Sequence, residues 1–370
     1  MRSRRSVHAA LLLLSIAAAA CDKKPDAPPV PATATPPAPG TAATPTAEAP
    51  KGRPFDPAQL AVFAALPEKI ERPDNLLTDD KVALGRQLYF DARLSRGHDV
   101  SCNSCHDVTR SGAGDTPVPD GTKKAKGTRN APTIFNAAGN FAQGWDGRGP
   151  LVEDFIGPHA AEASVMNADD KRLVDTVGSM PAYVAAFKKA FPDDQGAVTG
   201  ASIAKALAAY SRKLLTPGRW DKFLGGDQGA LTDDEKVGLG AFMDAGCTAC
   251  HAGKYVGGAQ NQKLGVAKPW PTTADVGRFG VTKQEVDRFV FKVPTLRNVT
   301  KTGPYLHDGS VASLDELVKL MARHQMGKDL TDAQTRSIVA YLGALGGEAP
   351  KELVKKPDLP PTGPKTPKPE

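Results

Sequence analysis

Two copies of the pentapeptide C-x-x-C-H constrain this chain more than any other feature of its sequence. The first occupies residues 102–106 and the second residues 247–251. In such a pentapeptide the two thiols can add to the vinyl groups of one haem, and the histidine can bind its iron. A C-x-x-C pair can also form a redox or zinc site, but two copies in one chain favour two covalently bound haems c. The attachment residues would be Cys102, Cys105, His106, Cys247, Cys250 and His251.

The fifth cysteine, Cys21, follows a segment that is typical of an export signal. Three arginines precede the mostly apolar residues 11–16, which are too few to span a membrane as a helix, and four alanines follow. We interpret residues 1–20 as a lipoprotein signal peptide and Cys21 as the lipidation site, which predicts a membrane-anchored protein in the periplasm. An ordinary secretory signal followed by a chance cysteine is the alternative.

Composition separates a folded part from two extended ends. Residues 21–54 are rich in Pro, Ala and Thr, which predicts a disordered tether, and the Lys- and Pro-rich residues 351–370 predict a disordered tail. The ends carry the whole formal charge of +6, since residues 1–54 contribute +4 and the tail contributes +2. The neutral remainder has no basic stripe for nucleic acid, and basic ends fit an anionic membrane surface.

A weak repeat marks the start of a helix ahead of each pentapeptide. The sequence L-T-D-D occurs around Thr78 and again around Thr232, 154 residues later. Thr232 and Glu235 have the spacing of a capping box, which is typical of a helix N-terminus. Ser313 and Thr331 mark two further helix starts near the end of the folded part.

Long Gly- and Pro-rich loops join these helices, and few stretches alternate as strands do. We therefore predict an all-α, loop-rich fold with two cytochrome c-like haem domains in tandem, residues 55–215 and residues 216–350. The second axial ligand decides what each haem can do, because a six-coordinate haem moves electrons and a five-coordinate haem can bind peroxide. Candidates in the second domain are Met321, Met326, His307 and His324.

Several longer motifs resemble the di-haem cytochrome c peroxidase family. They are R-N-A-P-T at 129–133, W-D-G-R at 145–148, D-V-G-R at 275–278, F-K-V-P-T-L-R-N-V at 291–299, G-P-Y-L-H-D-G-S at 303–310 and Q-M-G at 325–327. The resemblance implies an enzyme that reduces hydrogen peroxide at a low-potential N-terminal haem. Electrons would come from a small cytochrome c or cupredoxin through a high-potential C-terminal haem. It also implies that a homodimer is possible.

The resemblance assigns roles to five further residues. Met321 matches the methionine ligand of the C-terminal haem, fourteen residues after His307. Trp145 matches the tryptophan that lies between the two haems. Asn130, Thr302 and Pro304 match residues that hold a calcium ion between the domains, and their amide and carbonyl oxygens are ligands that calcium prefers.

The chain departs from the family pattern on the peroxide-binding side of the N-terminal haem. The family has a capping histidine about seven residues before R-N-x-P-T, but residues 120–127 contain none, and Thr122 is poorly suited to bind iron. This predicts a five-coordinate or water-ligated haem that needs no reductive activation. The acid–base glutamate of the family is also missing, since Val165 precedes Met166. His159 and Glu162 are the candidates for its role, and neither is the third possibility.

The sequence thus predicts a di-haem c-type peroxidase that converts hydrogen peroxide to water. Two other functions remain open. The protein could use peroxide to oxidise a partner protein, as relatives of this family do, or it could be a non-enzymatic di-haem electron-transfer protein.

Overall fold

The computed structural model describes residues 55–370. The signal segment, Cys21 and the tether lie outside the described residues, so the expectations for them stay predictions. Among the described helices, none combines the length and the hydropathy of a membrane-spanning segment.

Helices dominate the described residues, as the sequence predicts. The first half contains α1 Pro57–Leu60, α2 Asp79–Phe90, α3 Cys102–Cys105, α4 Val152–Ala161, α5 Asp170–Gly178, α6 Pro181–Ala190 and α7 Gly200–Lys213. The second half contains α8 Arg219–Leu224, α9 Asp233–Ala245, α10 Phe279–Thr282, α11 Leu314–Met326 and α12 Asp332–Ala344, and α13 Lys351–Val354 follows. Strands β1 Asn261–Lys263 and β2 Val290–Lys292 form a short antiparallel ribbon.

Polar side chains begin the long helices where the sequence predicts them. The hydroxyls of Thr78, Thr232, Ser313 and Thr331 each accept a hydrogen bond from a backbone N–H in the first turn of α2, α9, α11 and α12. Thr232 and Glu235 form the complete capping box. These caps satisfy N–H groups that have no partner within the helix.

Each half is built on one closely packed pair of helices, α2 with α7 and α9 with α12. A glycine lies at each crossing. A Cβ atom on Gly85 would lie 1.9 Å from the carbonyl oxygen of Ala206, and one on Gly238 would lie 1.8 Å from that of Ser337. The absence of a side chain therefore allows the two helix backbones to touch.

Two separate apolar clusters form the interior. The first includes Leu88, Tyr183, Phe187 and Tyr210, and the second includes Trp220, Leu239, Tyr341 and Leu345, all without exposed surface. Both ends of the described chain cross to the opposite cluster. The ring of Phe63 packs on Trp220 at 5.1 Å, whereas Leu353 and Leu359 pack against the first cluster. This packing departs from the expected domain ranges, which assigned residues 55–63 to the first half.

The C-terminal tail is ordered along the first half, which corrects the expectation of disorder. Arg172 donates hydrogen bonds to the carboxylate of Glu370 at 2.9 Å and to the carbonyl oxygen of Lys368 at 2.7 Å. The hydroxyl of Tyr210 donates to the carbonyl oxygen of Leu353 at 2.9 Å. The low apolar content suggested disorder, but arginine and tyrosine donors hold the tail largely through its backbone carbonyls.

A second repeat relates the two halves with a constant spacing of 162 residues. The equivalent pairs are Asn136 and Asn298, the short helical turns Ala137–Gly139 and Val299–Lys301, the bridges Gln143–Gly149 and Tyr305–Val311, and the helix starts Val152 and Leu314. Asn136 and Asn298 both adopt left-handed backbone conformations, with φ of 61° and 62°. The same backbone frame therefore leads into α4 and into α11.

Candidate haem and peroxide site

One cavity of about 930 Å³ is lined by both pentapeptides. Its volume is at the upper end of the range for cofactor pockets. The predicted residues that line it are Cys102, Cys105, His106, Cys247, Cys250, His251, Met321, Trp145, His159, Glu162, Asn130, Thr302 and Pro304. The structure therefore brings together the predicted attachment, calcium and acid–base residues of the described range, and among the candidate ligands it leaves out His324.

The two proximal histidines are buried and favour the neutral form. Burial lowers the pKa of His106 and of His251 to about 4. Nδ1 of His106 lies 2.8 Å from the carbonyl oxygen of Pro132, which leaves Nε2 for a metal. Nδ1 of His251 is buried beside the backbone of Val256. A neutral imidazole is the form that binds iron.

None of the four cysteines of the pentapeptides is paired in a disulfide, so all four are available for attachment. Burial raises the pKa of Cys102 to about 12 and that of Cys247 to about 11, so both thiols are neutral. Within residues 55–370 no three His, Cys, Asp or Glu side chains are grouped so that they could hold a metal ion, which disfavours a zinc site. Buried thiols and neutral imidazoles around one large cavity fit covalent haem c.

Among the four candidate ligands of the second half, Met321 fits best. It lies on α11 and lines the cavity. His307 also lines the cavity, but its ring is stacked on Phe291, with 4.2 Å between ring centroids, and its Nε2 lies 3.9 Å from a carboxylate oxygen of Asp275. Nδ1 of His324 lies 3.0 Å from the carbonyl oxygen of Pro269, away from the cavity lining.

Met326 also lines the cavity, but the end of its side chain packs against Gly246, the residue before the second pentapeptide. A Cβ atom on Gly246 would lie 2.6 Å from Cε of Met326. This methionine therefore occupies the space that a side chain at residue 246 would take.

Among the lining residues of the first half, His159 and Glu162 form a hydrogen-bonded pair. Nδ1 of His159 lies 3.2 Å from Oε1 of Glu162, and Arg148 donates a hydrogen bond to the same oxygen. Burial opposes ionisation of Glu162, but the hydrogen bond from His159 and the charge of Arg148 outweigh it and lower the pKa of Glu162. The ring of His159 stacks on Phe155 at 4.9 Å. The two candidates for acid–base chemistry are therefore parts of one group.

The loop that lacks a capping histidine is fixed by its own threonine. Oγ1 of Thr122 donates to the carboxylate of Asp99 at 2.7 Å and accepts from the backbone of Gly97 at 3.0 Å. The backbone N–H of Thr122 donates to the carbonyl oxygen of Val165 at 2.7 Å. The side chain of Thr122 is only 3% exposed and is not part of the cavity lining.

Trp145 links the walls of the cavity. Its indole N–H donates to the carbonyl oxygen of Asn130 at 2.9 Å, and its own carbonyl accepts from the backbone of Lys292 at 2.8 Å. Its ring centroid lies 6.4 Å from that of His307. The indole is thus held by contacts from both halves.

An ion pair ties the two halves beside this tryptophan. Arg129 donates two hydrogen bonds to Asp275, at 2.7 and 2.8 Å, and contacts Asp146 at 2.5 Å. Burial opposes ionisation of Asp275, but the bond from Arg129 outweighs it and lowers the pKa of Asp275. The same pair of carboxylates raises the pKa of Arg129.

Comparison with known proteins decides the family. A protein-family model described as di-haem cytochrome c peroxidase matches residues 79–229. The chain is 41% identical to cytochrome c551 peroxidase of Pseudomonas aeruginosa, over 84% of this chain and 90% of that one. The chain belongs to the di-haem cytochrome c peroxidase family.

Two further similarities extend this result. Cytochrome c551 peroxidase of Nitrosomonas europaea is 42% identical, over 82% of this chain and 89% of that one. A solved structure described as a MauG-like protein associated with microbial copper homeostasis is 25% identical. It covers 79% of this chain and 95% of that one, with a TM-score of 0.67. The family resemblance expected from the sequence is confirmed, and it implies haem c at both pentapeptides.

This member of the di-haem cytochrome c peroxidase family has functional features that the sequence analysis missed. The ion pair of Arg129 with Asp275 lies within two of the family motifs, but spacing alone could not pair residues 146 positions apart. The 162-residue spacing of the two halves also pairs His159 with Met321, and the sequence carries a signal of this pairing. His159 lies fourteen residues after Trp145, just as Met321 lies fourteen residues after His307.

Proposed function

We propose that this chain is an exported cytochrome c peroxidase that uses two electrons and two protons to convert one hydrogen peroxide to two waters. The observation that carries the proposal is the shared cavity, in which both pentapeptides meet Met321 from one half and His159 with Glu162 from the other. A haem held by Cys102, Cys105 and His106 would supply the chemistry that reduces peroxide, and one held by Cys247, Cys250, His251 and Met321 would supply stored electrons.

The proton chemistry falls to His159, oriented by Glu162. Cleavage of the O–O bond needs a group that takes a proton from one oxygen and returns it to the other. An ionised carboxylate can only accept hydrogen bonds, so Nδ1 of His159 carries the proton in its contact with Glu162. This tautomer leaves the lone pair of Nε2 free to act as the base. Glu162 is then a positioning residue.

The loop around Thr122 supports an open peroxide site in the oxidised protein. Its hydroxyl is committed to Asp99 and Gly97, and it offers no side chain to the cavity. We therefore expect the N-terminal haem to be five-coordinate or water-ligated, without the need for prior reduction.

Several further assignments belong to this proposal. Trp145, held from both halves, is a good candidate for electron passage between the haems. Asn130, Thr302 and Pro304 line one cavity and can offer amide and carbonyl oxygens to calcium. The two apolar clusters support two haem domains in tandem. The donor would be a small cytochrome c or cupredoxin.

The place of the protein in the cell is also part of the proposal. Cys21 would carry a lipid that anchors the protein to a membrane facing the periplasm, and a homodimer is possible. Metabolic labelling with a fatty-acid analogue tests the anchor, because C21A should lose both the label and membrane association.

The activity is tested by peroxide consumption with a reduced small cytochrome c as donor. The proposal predicts rapid turnover with two donor molecules oxidised per peroxide. Absence of turnover in both the oxidised and the half-reduced protein, with both haems attached, would contradict it.

One similarity favours a second candidate, peroxide-dependent oxidation of a partner protein, since a MauG-like structure shares this fold at 25% identity. Slow turnover with every small donor, together with peroxide-dependent oxidation of a co-purified exported protein, would support this alternative. Electron exchange without any peroxide reaction would support a non-enzymatic di-haem electron-transfer protein.

A further inference from the structure

His159 occupies in the first half the position that Met321 occupies in the second. The two residues lie 162 positions apart, which is the spacing that relates the bridges and the helix starts of the two halves. Each is the eighth residue of its helix, α4 or α11, and both line the same cavity. The repeat therefore assigns to His159 the place of an axial ligand.

The surroundings of the two positions differ. Helix α4 ends at Ala161, and the backbone N–H of Glu162 donates to the carbonyl oxygen of His159. This early end brings the Glu162 carboxylate beside the imidazole. In the second half α11 continues to Met326, and the residue equivalent to Glu162 is His324, whose ring faces the carbonyl oxygen of Pro269 instead.

Three side chains restrain the imidazole of His159, two of them directly and one through the other two. Glu162 bonds its Nδ1, and Phe155 covers one face of the ring with an angle of 21° between the planes. Arg148 bonds Glu162 and also lies over the ring of Phe155, 5.4 Å from its centroid. The imidazole is thus fixed by Phe155 and Glu162, and Arg148 fixes both of these.

We propose that Glu162 and Arg148 hold His159 back from the iron, so that a side chain at the axial position of the repeat serves as a proton acceptor. An imidazole with free movement at this position would be a strong iron ligand. Coordination would use the Nε2 lone pair that proton transfer needs, and it would block peroxide. The role of this retention in proton transfer rests on the proposed function. Whether His159 is held away from the iron can be tested without measuring turnover.

Electron paramagnetic resonance of the oxidised, haem-loaded protein tests this retention. The wild type should show one low-spin haem and one high-spin haem. In Glu162→Ala the high-spin signal should be lost to a second low-spin signal, and Glu162→Ala combined with His159→Ala should restore it. Glu162→Gln, which keeps an oxygen acceptor near Nδ1, should stay largely high-spin. Asp154→Ala, which removes an exposed carboxylate from the same helix, is the matched control and should match the wild type.

Three results would overturn the inference. The first is a Glu162→Ala spectrum that keeps the high-spin signal. The second is a low-spin signal that persists in the double variant, which would identify another ligand. The third is a wild type with two low-spin haems, one of them lost in His159→Ala, since His159 would then already be bound. A protein that shows the expected spectra but no peroxide turnover would refute the proposed function and leave the retention intact.

Discussion

The two haem-binding halves have the same backbone frame but differ in the side chain that this frame presents. In both, a left-handed asparagine, a bridge and a helix start recur at a spacing of 162 residues. The second half presents Met321, a thioether that can close the coordination of an iron. The first half presents His159, bonded to Glu162. Under the proposed roles, one scaffold would serve electron storage in one half and peroxide chemistry in the other, depending on the side chain at one position and on its neighbours.

The largest effect should come from removing the side chain that distinguishes the first half. His159→Ala should lower kcat/KM for peroxide by about 10²–10⁴-fold, the contribution typical of a general acid–base group. Stopped-flow and steady-state kinetics with a reduced small cytochrome measure it. His98→Ala is the control, because His98 does not line the cavity. A loss below about threefold would contradict the assigned role.

The sequence could predict the local parts of this site because they depend on nearby residues. The pentapeptides fix the attachment residues, and Thr78, Thr232, Ser313 and Thr331 fix helix starts by bonding within one turn. Two halves also followed from the repeated motifs. These features need no knowledge of how distant segments meet.

Long-range contacts could not be predicted in this way. The bond between Arg172 and Glu370 joins residues 198 positions apart, and neither composition nor periodicity encodes such a pairing. The crossing of Phe63 to the second cluster is of the same kind. The hydrogen bond between His159 and Glu162 is local, but it forms only because α4 ends at Ala161. The sequence could not predict this end, because Pro158 lies inside the helix.

A second prediction tests whether the backbone frame is equivalent in the two halves. Asn136 and Asn298 are buried, and both donate to the hydroxyl of Thr216 at 2.8 Å. Asn→Ala at either position should destabilise the protein by about 3 kcal/mol, because buried hydrogen bonds are lost and a left-handed residue is strained. Asn→Gly should cost about 1 kcal/mol less. Urea unfolding measures both, and unequal losses at the two positions would show that the frames are not equivalent.

A third prediction makes the two halves more alike. Met321→His should lower the reduction potential of the C-terminal haem, since methionine ligation raises it. We expect at least a tenfold change in the equilibrium constant for reduction, which is about 59 mV for one electron. Spectroelectrochemistry measures this change. An unchanged potential would show that Met321 is not a ligand, and His324→Ala on the same helix, outside the cavity lining, serves as the control.

The smallest expected change in stability concerns the ion pair of Arg129 with Asp275, which joins the two halves and has no counterpart in the 162-residue repeat. The folded pKa of Asp275 is lowered, so its bond with Arg129 stabilises the protein above the ordinary aspartate pKa and is lost as pH falls through the folded value. Asp275→Asn should therefore cost about 1–2 kcal/mol between pH 5 and 8 and progressively less below about pH 4. Urea unfolding across this pH range measures the difference. A constant difference down to pH 2 would contradict the assignment.

The central claim is that one half is open to exogenous ligands and the other is closed by Met321. Cyanide titration of the oxidised two-haem protein, never reduced beforehand, tests this most directly, with binding followed by the haem absorption spectrum. We predict one equivalent bound promptly per chain, and two in Met321→Ala. No cyanide binding would show that a protein ligand occupies the sixth position of both haems. Two equivalents bound by the wild type would show that Met321 does not block the haem of the second half. Either result would contradict the account.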